Sequence, residues 1–254
     1  MIKNYFKIAW RNLLKDKQFS LLNLLGLSTG LACVLLIWLW VSDELSVDKF
    51  NQTDSRLYQV LKTAPTGDGA IVTYPSTPGL LAQTMSKELP EIEAAAGVRP
   101  EYDIGILSVN EKRLKASSEY VDQNFFKIFS YDIIEGSENS FVANKYGVLL
   151  SDKVAQKLFN TTRNIIGKTF FWDRGEFTGS YVIEGVFKSP PENATDHFDL
   201  LFNYQVYASK EAEDIAYWGS NGQYTYVLLK KGTKVDAFNN KIRDFTKAKI
   251  KQLY

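Results

Sequence analysis

The sequence contains very little cysteine and histidine. Among its 254 residues there is one cysteine, Cys33, and one histidine, His197. A single cysteine excludes a disulfide framework and a metal site built from several thiolates. The composition therefore argues against a disulfide-stapled domain and against a zinc-binding module.

Motifs that carry catalytic chemistry are also missing. The chain has no GxxxxGK[ST] phosphate loop, no GxSxG and no HExxH. His197 has Asp196 and Asp199 as neighbours, but adjacent residues of a strand point to alternate faces and a second histidine is lacking. A structural or surface role is therefore favoured over a metal site. We predict no catalytic, cofactor-binding or metal-binding residue, so the chain is not expected to be an enzyme.

An excess of positive charge is absent as well. Lysine and arginine number 30 and aspartate and glutamate 29, which leaves a net charge of +1. No basic stripe occurs after the first 18 residues. Because binding to a phosphate backbone needs a basic surface, nucleic acid is excluded as a partner.

One long segment has no charge at all. Residues 19–41 form a run of 23 uncharged, mainly apolar residues. A helix of this length measures about 35 Å, enough to cross a hydrocarbon core of about 30 Å. A secretory signal peptide is the alternative, but its apolar core is shorter and is followed by small residues, whereas this run ends near Trp38 and Trp40. The run predicts a transmembrane helix.

The residues before the run indicate its orientation. Lysines and an arginine precede it at positions 3, 7, 11, 15 and 17, whereas only Lys49 and Arg56 follow closely. We therefore expect the protein in the cell (inner) membrane, with its N-terminus in the cytoplasm and the bulk of the chain on the periplasmic or extracytoplasmic side. Residues 1–18 also show apolar positions at helical spacing, with Trp10 among them, which predicts an amphipathic helix at the membrane interface in contact with lipids. The alternative is a simple basic flank.

Small and aromatic residues are placed at particular positions within the predicted span. Gly26 and Gly30 form a GxxxG pair, which favours close approach of another helix. Trp38 and Trp40 fall at the outer end, where indole rings prefer the membrane interface. We predict helix packing at the two glycines and interface anchoring at Trp10, Trp38 and Trp40.

Residues 42–254 read as a mixed domain of the α+β class, because strand and helix patterns alternate without a regular βαβ rhythm. Predicted strands cover 56–63, 93–99, 104–109, 114–121, 148–150, 167–172, 181–187 and 224–229, with a hairpin at 110–113. Predicted helices begin at Ser76 or Thr77, at Ser151, and at Thr233 with Asp236 as a capping box. Leu81, Met85 and Leu89 should share one buried helix face.

Residues 4–13, 44–51 and 54–60, with further segments between 23 and 190, together resemble the MacB/FtsX-type ABC transporter permeases. Residues 4–13 are similar to that family's opening "lkiAwRnLl", and residues 44–51 and 54–60 to its "ElsyDrFh" and "adriYrv". Val47 and Asn51 depart from the family, where an aromatic residue and a histidine are common. The remaining similar segments are 23–32, 121–136, 148–159, 166–168 and 182–190. The resemblance covers nearly the whole chain.

The resemblance implies a fold, partners and a role. The external region would be a MacB-like periplasmic core domain with a membrane-proximal, porter-like subdomain at 50–103 and 182–254 and an inserted, distal, sabre-like subdomain at 104–181. Permeases of this family have four membrane helices per unit, so a chain that stops at Tyr254 looks like a fragment. The implied partners are a cytoplasmic ABC ATPase subunit that holds the ATP, a second permease copy or second half of a longer permease, and a periplasmic adaptor.

The function that this resemblance implies is mechanical. ATP hydrolysis on the partner would move the membrane helices, and the first helix would pass the motion to the external domain during export or efflux. Because residues 42–49 contain no glycine or proline, we expect the helix to continue rigidly outward through Lys49. The alternative is a single-span, membrane-anchored sensor or ligand-binding module. An anchored extracellular enzyme is a third option, disfavoured because catalytic groups are missing.

Overall fold

The structure is a computed structural model that describes residues 2–15 and 17–253. It divides into two compact units, Met1–Val47 and Asp48–Tyr254, which are treated one at a time.

The first unit consists of two helices, α1 (Ile2–Lys15) and α2 (Lys17–Glu44). Both lack proline, and α2 is apolar along most of its length, so helix formation meets no local obstacle. Its 28 residues correspond to about 42 Å. Within the described residues, α2 is the one helix whose length and composition suit a membrane crossing. The predicted helix over 19–41 lies within α2. In the predicted helix over 1–18, residues 2–15 are helical as α1 and the last two residues belong to α2, while Met1 and Asp16 lie outside the described residues.

The expected rigid extension of α2 is wrong. The helix ends at Glu44, and Leu45 to Phe50 form turns. The Ser46 hydroxyl donates to the Asp43 carbonyl at 2.7 Å, and Asp48 adopts a left-handed backbone with φ 59°. Serine and aspartate offer the backbone such local hydrogen bonds in place of helical ones, and a left-handed residue stops a helix. The helix therefore ends at Glu44 although residues 42–49 contain neither glycine nor proline.

The second unit is built on a ten-stranded sheet. Along one path the strand order is β1-β12-β5-β6-β11-β8-β10-β7, while β4 pairs with β12, and β9 pairs with β10 and β5. Most neighbours are antiparallel, but β10 with β8 and β11 with β6 are parallel. A separate hairpin joins β2 and β3. The strands are β1 (Leu57–Val60), β2 (Lys62–Pro65), β3 (Ile71–Tyr74), β4 (Ser76–Thr77), β5 (Ile92–Val109), β6 (Lys112–Val121), β7 (Ile133–Gly136), β8 (Gly147–Ser151), β9 (Thr169–Asp173), β10 (Gly179–Phe187), β11 (Leu200–Asn203) and β12 (Gln223–Leu229).

Short helices cover this sheet. They are α3 (Leu81–Glu88), α4 (Phe125–Ile128), α5 (Glu138–Ala143), α6 (Asp152–Phe159), α7 (Tyr204–Lys210), α8 (Ala212–Ala216), α9 (Val235–Ile242) and α10 (Phe245–Leu253). The predicted cap at Ser151 is confirmed, since its hydroxyl accepts from the Val154 N–H at 3.3 Å. The predicted capping box at Thr233 is wrong. Lys234 occupies the N-cap position of α9, and its side chain makes no capping hydrogen bond. The cap at Ser76 or Thr77 is also wrong, since both residues lie in β4.

Strand β5 is longer than expected. The predicted strands 93–99 and 104–109 are one continuous strand, whose pairing with β6 shifts register between Glu101 and Gly105. The predicted hairpin between β5 and β6 is confirmed, with Asn110 at a positive φ of 53°. A side chain at Gly105 would meet the Trp172 indole, 2.1 Å from an ideal Cβ, so glycine is required for this packing.

The core of the second unit contains distinct hydrophobic clusters. One surrounds the fully buried Trp172 and joins β6, β8, β9, β10, β11, α6 and α7. Another joins α3, β5, β12 and α9, and it includes Leu81, Met85 and Leu89, which confirms their predicted burial on one face. The mixed α+β fold class is thus confirmed. The subdomain boundaries at 104 and 181 stay a prediction, and strand β10 runs across the second of them.

Candidate functional site

Helix α2 carries the residues predicted for helix packing. Gly26 and Gly30 are four residues apart and therefore share a helix face. Apart from the chain neighbours and the backbone of α2 itself, no described atom lies within 4 Å of a Cβ built at either position, so the face is open to another helix. Their packing role stays a prediction.

The three predicted interface tryptophans are all exposed. Trp10 lies in α1, and Trp38 and Trp40 lie near the end of α2. Most leucines of α2 are exposed too, so this helix needs lipid or partner helices around it. The tryptophans suit the boundary between lipid and water, and their anchoring role stays a prediction.

Hydrogen bonds fix the first residues of the second unit, from Asp48 onward, to the rest of that unit. We name residues 48–53 the clamped segment. The Asp48 carboxylate accepts from the Thr195 N–H at 2.9 Å through Oδ1 and from the Thr195 hydroxyl at 2.6 Å through Oδ2. The Asp48 N–H donates to the Asn193 carbonyl at 3.1 Å. One acidic side chain thus holds the start of the segment on the loop before β11.

A second loop holds the rest of the clamped segment. Oδ1 of the buried Asn51 accepts from the Ser130 N–H at 3.0 Å, and the Gln52 N–H donates to the Ser130 hydroxyl at 3.0 Å. The Thr53 hydroxyl donates to the Ile128 carbonyl at 2.7 Å. These bonds join residues 75 or more positions apart in sequence. These bonds hold the second half of the clamped segment against the loop that follows α4.

The acidic residues around His197 have separate roles. Asp196 accepts from the Tyr226 hydroxyl at 3.5 Å, while Asp199 Oδ2 accepts from the Ser117 N–H at 3.1 Å. Over the described residues, no group of three histidine, cysteine or acidic side chains is arranged to hold a metal ion.

A cleft that the sequence did not indicate lies between α3, α5, α7 and the loop after β6. Its volume is about 490 Å³. Inside it, Asp122 accepts from the Gly97 N–H at 2.8 Å, and Gln223 accepts from the Tyr204 hydroxyl at 2.7 Å. Burial raises the pKa of Asp122, although backbone hydrogen bonds partly oppose the shift. Asp122 and Gln223 thus already have hydrogen-bond partners within the fold. The residues that line the cleft are widely separated in the sequence, so they form no motif by which the cleft could have been predicted.

An apolar helix long enough to span a membrane, followed by a mixed α/β domain clamped to the chain just after that helix, defines a membrane-anchored α/β domain. The family model of the MacB-like periplasmic core domain matches residues 20–245. The chain belongs to this family. The resemblance to MacB-like permeases seen in the sequence is confirmed. This family places the bulk of the chain outside the cytoplasm. No curated protein sequence matches the chain.

Solved structures share the fold. A domain of a candidate permease from Porphyromonas gingivalis has a TM-score of 0.67 at 19% identity, covering 78% of this chain and 83% of its own. The periplasmic region of MacB from Actinobacillus actinomycetemcomitans has a TM-score of 0.56 at 15% identity, with coverages of 80% and 85%. The extracellular domain of the noncanonic ABC-type transporter YknZ from Gram-positive bacteria has a TM-score of 0.51 at 14% identity, with coverages of 71% and 87%.

Proposed function

We propose that this chain is the permease component of an ABC transporter and that it couples ATP hydrolysis on a separate cytoplasmic ATPase to movement of its extracytoplasmic domain during export or efflux. Family membership, the permease name of one structural relative and the ABC-type transporter name of another support the class of protein. The chain itself would hold no cofactor. Its partners would be the ATPase, a second permease copy or permease half, membrane lipids and a periplasmic adaptor.

The observation that carries the coupling proposal is the clamped segment. Asp48 is the fourth residue after α2 ends, and its carboxylate is held by two hydrogen bonds from Thr195. A displacement of the chain at Val47 would therefore act on the folded domain through these bonds. Motion would therefore pass from α2 through the short turn after Glu44 to Asp48, which is hydrogen-bonded to the domain, and a continuous rigid helix would not be needed.

A transport measurement tests the coupling. The native permease and ATPase are reconstituted in vesicles. Asp48→Ala should lower transport several-fold while ATP hydrolysis continues, because without the two hydrogen bonds from Thr195 the segment after α2 could move without moving the domain. Glu111→Gln, on the exposed β5–β6 turn, is the matched control and should leave both rates unchanged. Full transport by Asp48→Ala would contradict the proposal.

The proposed orientation has an independent test. Cys33 is the only cysteine, so a Cys33→Ala chain can carry single new cysteines. A cysteine at Lys3 should resist a membrane-impermeant maleimide added outside intact cells, whereas one at Glu111 should react. Labelling at position 3 alone would reverse the orientation.

The cleft of about 490 Å³ favours a second candidate function, a membrane-anchored sensor or ligand-binding module. The two functions differ in the ATPase: a sensor would function without it, whereas a permease would copurify with it. Copurification from native membranes separates them.

A further inference from the structure

A basic segment covers positions 230–251 of the second unit. It contains eight lysine and arginine residues and two acidic residues, a surplus of six positive charges, whereas the whole chain has a net charge of +1. The expectation that no basic stripe follows residue 18 is therefore wrong for this segment. Its basic residues are Lys230, Lys231, Lys234, Lys241, Arg243, Lys247, Lys249 and Lys251.

The basic segment begins at the end of the sheet where the chain enters the second unit. Strand β1 comes shortly after the clamped segment, and its start pairs with the end of β12. The Arg56 guanidinium donates to the Leu229 carbonyl at 2.7 Å, and the Lys230 N–H donates to the Glu91 carbonyl at 2.9 Å. The start of the basic segment therefore lies beside the first residues that follow the clamped segment.

The acidic residues at this end of the sheet already have basic partners. Three carboxylates each pair with one basic side chain: Glu88 with Lys249 at 2.5 Å, Glu91 with Lys241 at 2.6 Å, and Glu93 with Arg56. Four other lysines of the segment are exposed and pair with no carboxylate among the described residues, namely Lys231, Lys234, Lys247 and Lys251. The surface therefore keeps an uncompensated positive charge.

Helix α10 presents part of this charge on a surface without large apolar groups. Phe245 and Ile250 pack against the cluster around α3, so the apolar side of α10 faces the core. Lys247 and Lys251 are four residues apart and therefore share a side of the helix that is exposed. No large apolar side chain is exposed in the described part of 230–251. The exposed surface of the basic segment is thus polar and cationic.

This chemistry suits an acidic lipid surface better than an acidic protein. The cores of protein interfaces are built on aromatic and apolar anchors and are depleted in lysine. Lysines beside a bilayer are attracted to acidic headgroups and need no apolar contact. The tether to the proposed membrane helix is also short, since Asp48 follows Glu44, the last residue of α2, by four residues, which span about 14 Å at most.

We propose that residues 230–251 dock on acidic phospholipid headgroups, with Lys231, Lys234, Lys247 and Lys251 facing the phosphates. The inference deepens the proposed function by naming a lipid class and the surface that takes it, and it rests on the proposed anchoring by α2. Docking gives the domain a second attachment to the bilayer, beside the residues that follow the clamped segment. The contact needs neither the ATPase nor transport.

Hydrogen exchange of the full chain in nanodiscs tests the docking. Exchange in residues 230–251 should be several-fold slower in discs that contain phosphatidylglycerol than in discs of phosphatidylcholine alone. Salt at about 1 M should remove the difference, because the screening length falls to about 3 Å. Both leaflets of a disc have the same lipids, so the result does not depend on the orientation of the chain. Equal exchange in the two kinds of disc would overturn the proposal.

Paired substitutions identify the residues that dock. Lys247→Gln with Lys251→Gln should lose most of the slowing caused by phosphatidylglycerol, whereas Lys247→Arg with Lys251→Arg keeps the charge and should keep the slowing. The matched control is Lys153→Gln with Lys157→Gln, an exposed pair with the same spacing on α6, which packs against the cluster around Trp172. Full slowing in the first variant, or an equal loss in the control, would contradict the proposed surface.

The outcomes separate the docking surface from the anchoring on which it rests. A chain that does not assemble into discs would overturn both, whereas a chain that assembles and exchanges equally fast in both lipids would overturn the docking alone. Soluble polyglutamate serves as the probe for an acidic protein. Slowing of residues 230–251 by polyglutamate, with none by phosphatidylglycerol, would overturn the lipid docking and assign the surface to a protein.

Discussion

Asp48 and Thr195, which lie 147 positions apart in the chain, are joined by two hydrogen bonds through both oxygens of the Asp48 carboxylate. Hydrogen bonds to a carboxylate acceptor are shorter and stronger than those between neutral groups. The same aspartate has a left-handed backbone, which turns the chain at the point where the clamped segment begins. Backbone geometry and side-chain bonding therefore fix the segment together.

This pair can be measured by a double-mutant cycle. Asp48→Ala, Thr195→Val and the double variant should show a coupling free energy of about 1 kcal/mol, because the bonds are solvent-exposed and charge-assisted. The measurement is urea unfolding of the full chain in detergent. Additive effects of the two substitutions would show that the bonds contribute nothing to stability.

Gly105 provides a sharp packing test. An alanine methyl at this position would overlap the indole of Trp172, whose nearest atom is 2.1 Å from the ideal Cβ. Gly105→Ala should lower the free energy of unfolding by about 1–3 kcal/mol and change the near-ultraviolet circular dichroism of the tryptophans. Gly179→Ala is the control, since its nearest neighbour is 4.0 Å away. Equal effects from the two substitutions would argue against the described packing.

Glu119 should make stability depend on pH. Its folded pKa of about 8 lies above the ordinary value of 4.5, so the folded state binds the proton more tightly than the unfolded state does. The free energy of unfolding should therefore be highest below pH 4.5 with respect to this group and should fall as pH rises towards 8. The loss is on the order of 4 kcal/mol.

The comparison for this prediction is Glu119→Gln, which cannot ionise. Subtracting its stability profile from that of the parent isolates the contribution of Glu119, and the difference should grow between pH 5 and pH 8. A difference that stays constant over this interval would show that Glu119 titrates normally. Chemical unfolding at a series of pH values, with ionic strength fixed, provides both profiles.

Gly26 and Gly30 should matter for assembly rather than for insertion. Replacing both with isoleucine puts bulky side chains on a face that is open in this chain, which would prevent close approach of another helix. We expect normal membrane insertion with a several-fold loss of transport. Leu27→Ile and Leu31→Ile, on the neighbouring face, form the matched control. Full transport by the glycine double variant would remove the packing role.

Elements with a long, uniform pattern were predictable from the sequence. The charge-free run at 19–41 correctly predicted α2. The cap at Ser151 was also predicted correctly, because this serine stands directly before residues with the apolar spacing of a helix. Thr233 failed as a cap although its pattern was similar, because the helix begins after Lys234. Local pattern thus identifies the element better than its first residue.

The candidate sites were not predictable. The clamp depends on contacts between residues 48–53 and two distant loops, and the buried carboxyl of Glu119 reads in the sequence as one more charge in a polar stretch. Neither feature has a local pattern, because each depends on contacts between segments that are distant in the sequence. The predicted outward extension of α2 was wrong for a different reason. Ser46 and Asp48 turn the chain through a local hydrogen bond and a left-handed backbone, which the composition of residues 42–49 does not show.

Strand β5 limits how the external domain can deform. Its 18 residues pair with β12 at one end and with β9 at the other, so it runs between the cluster around α3 and the cluster around Trp172. The two clusters share one hydrogen-bonded backbone, and separating them would break ladder bonds along its length. The β5–β6 register shifts between Glu101 and Gly105, and an irregularity of this kind is where a strand is expected to bend. Force applied to one half would therefore reach the other as flexure of a single strand, without free rotation about a linker.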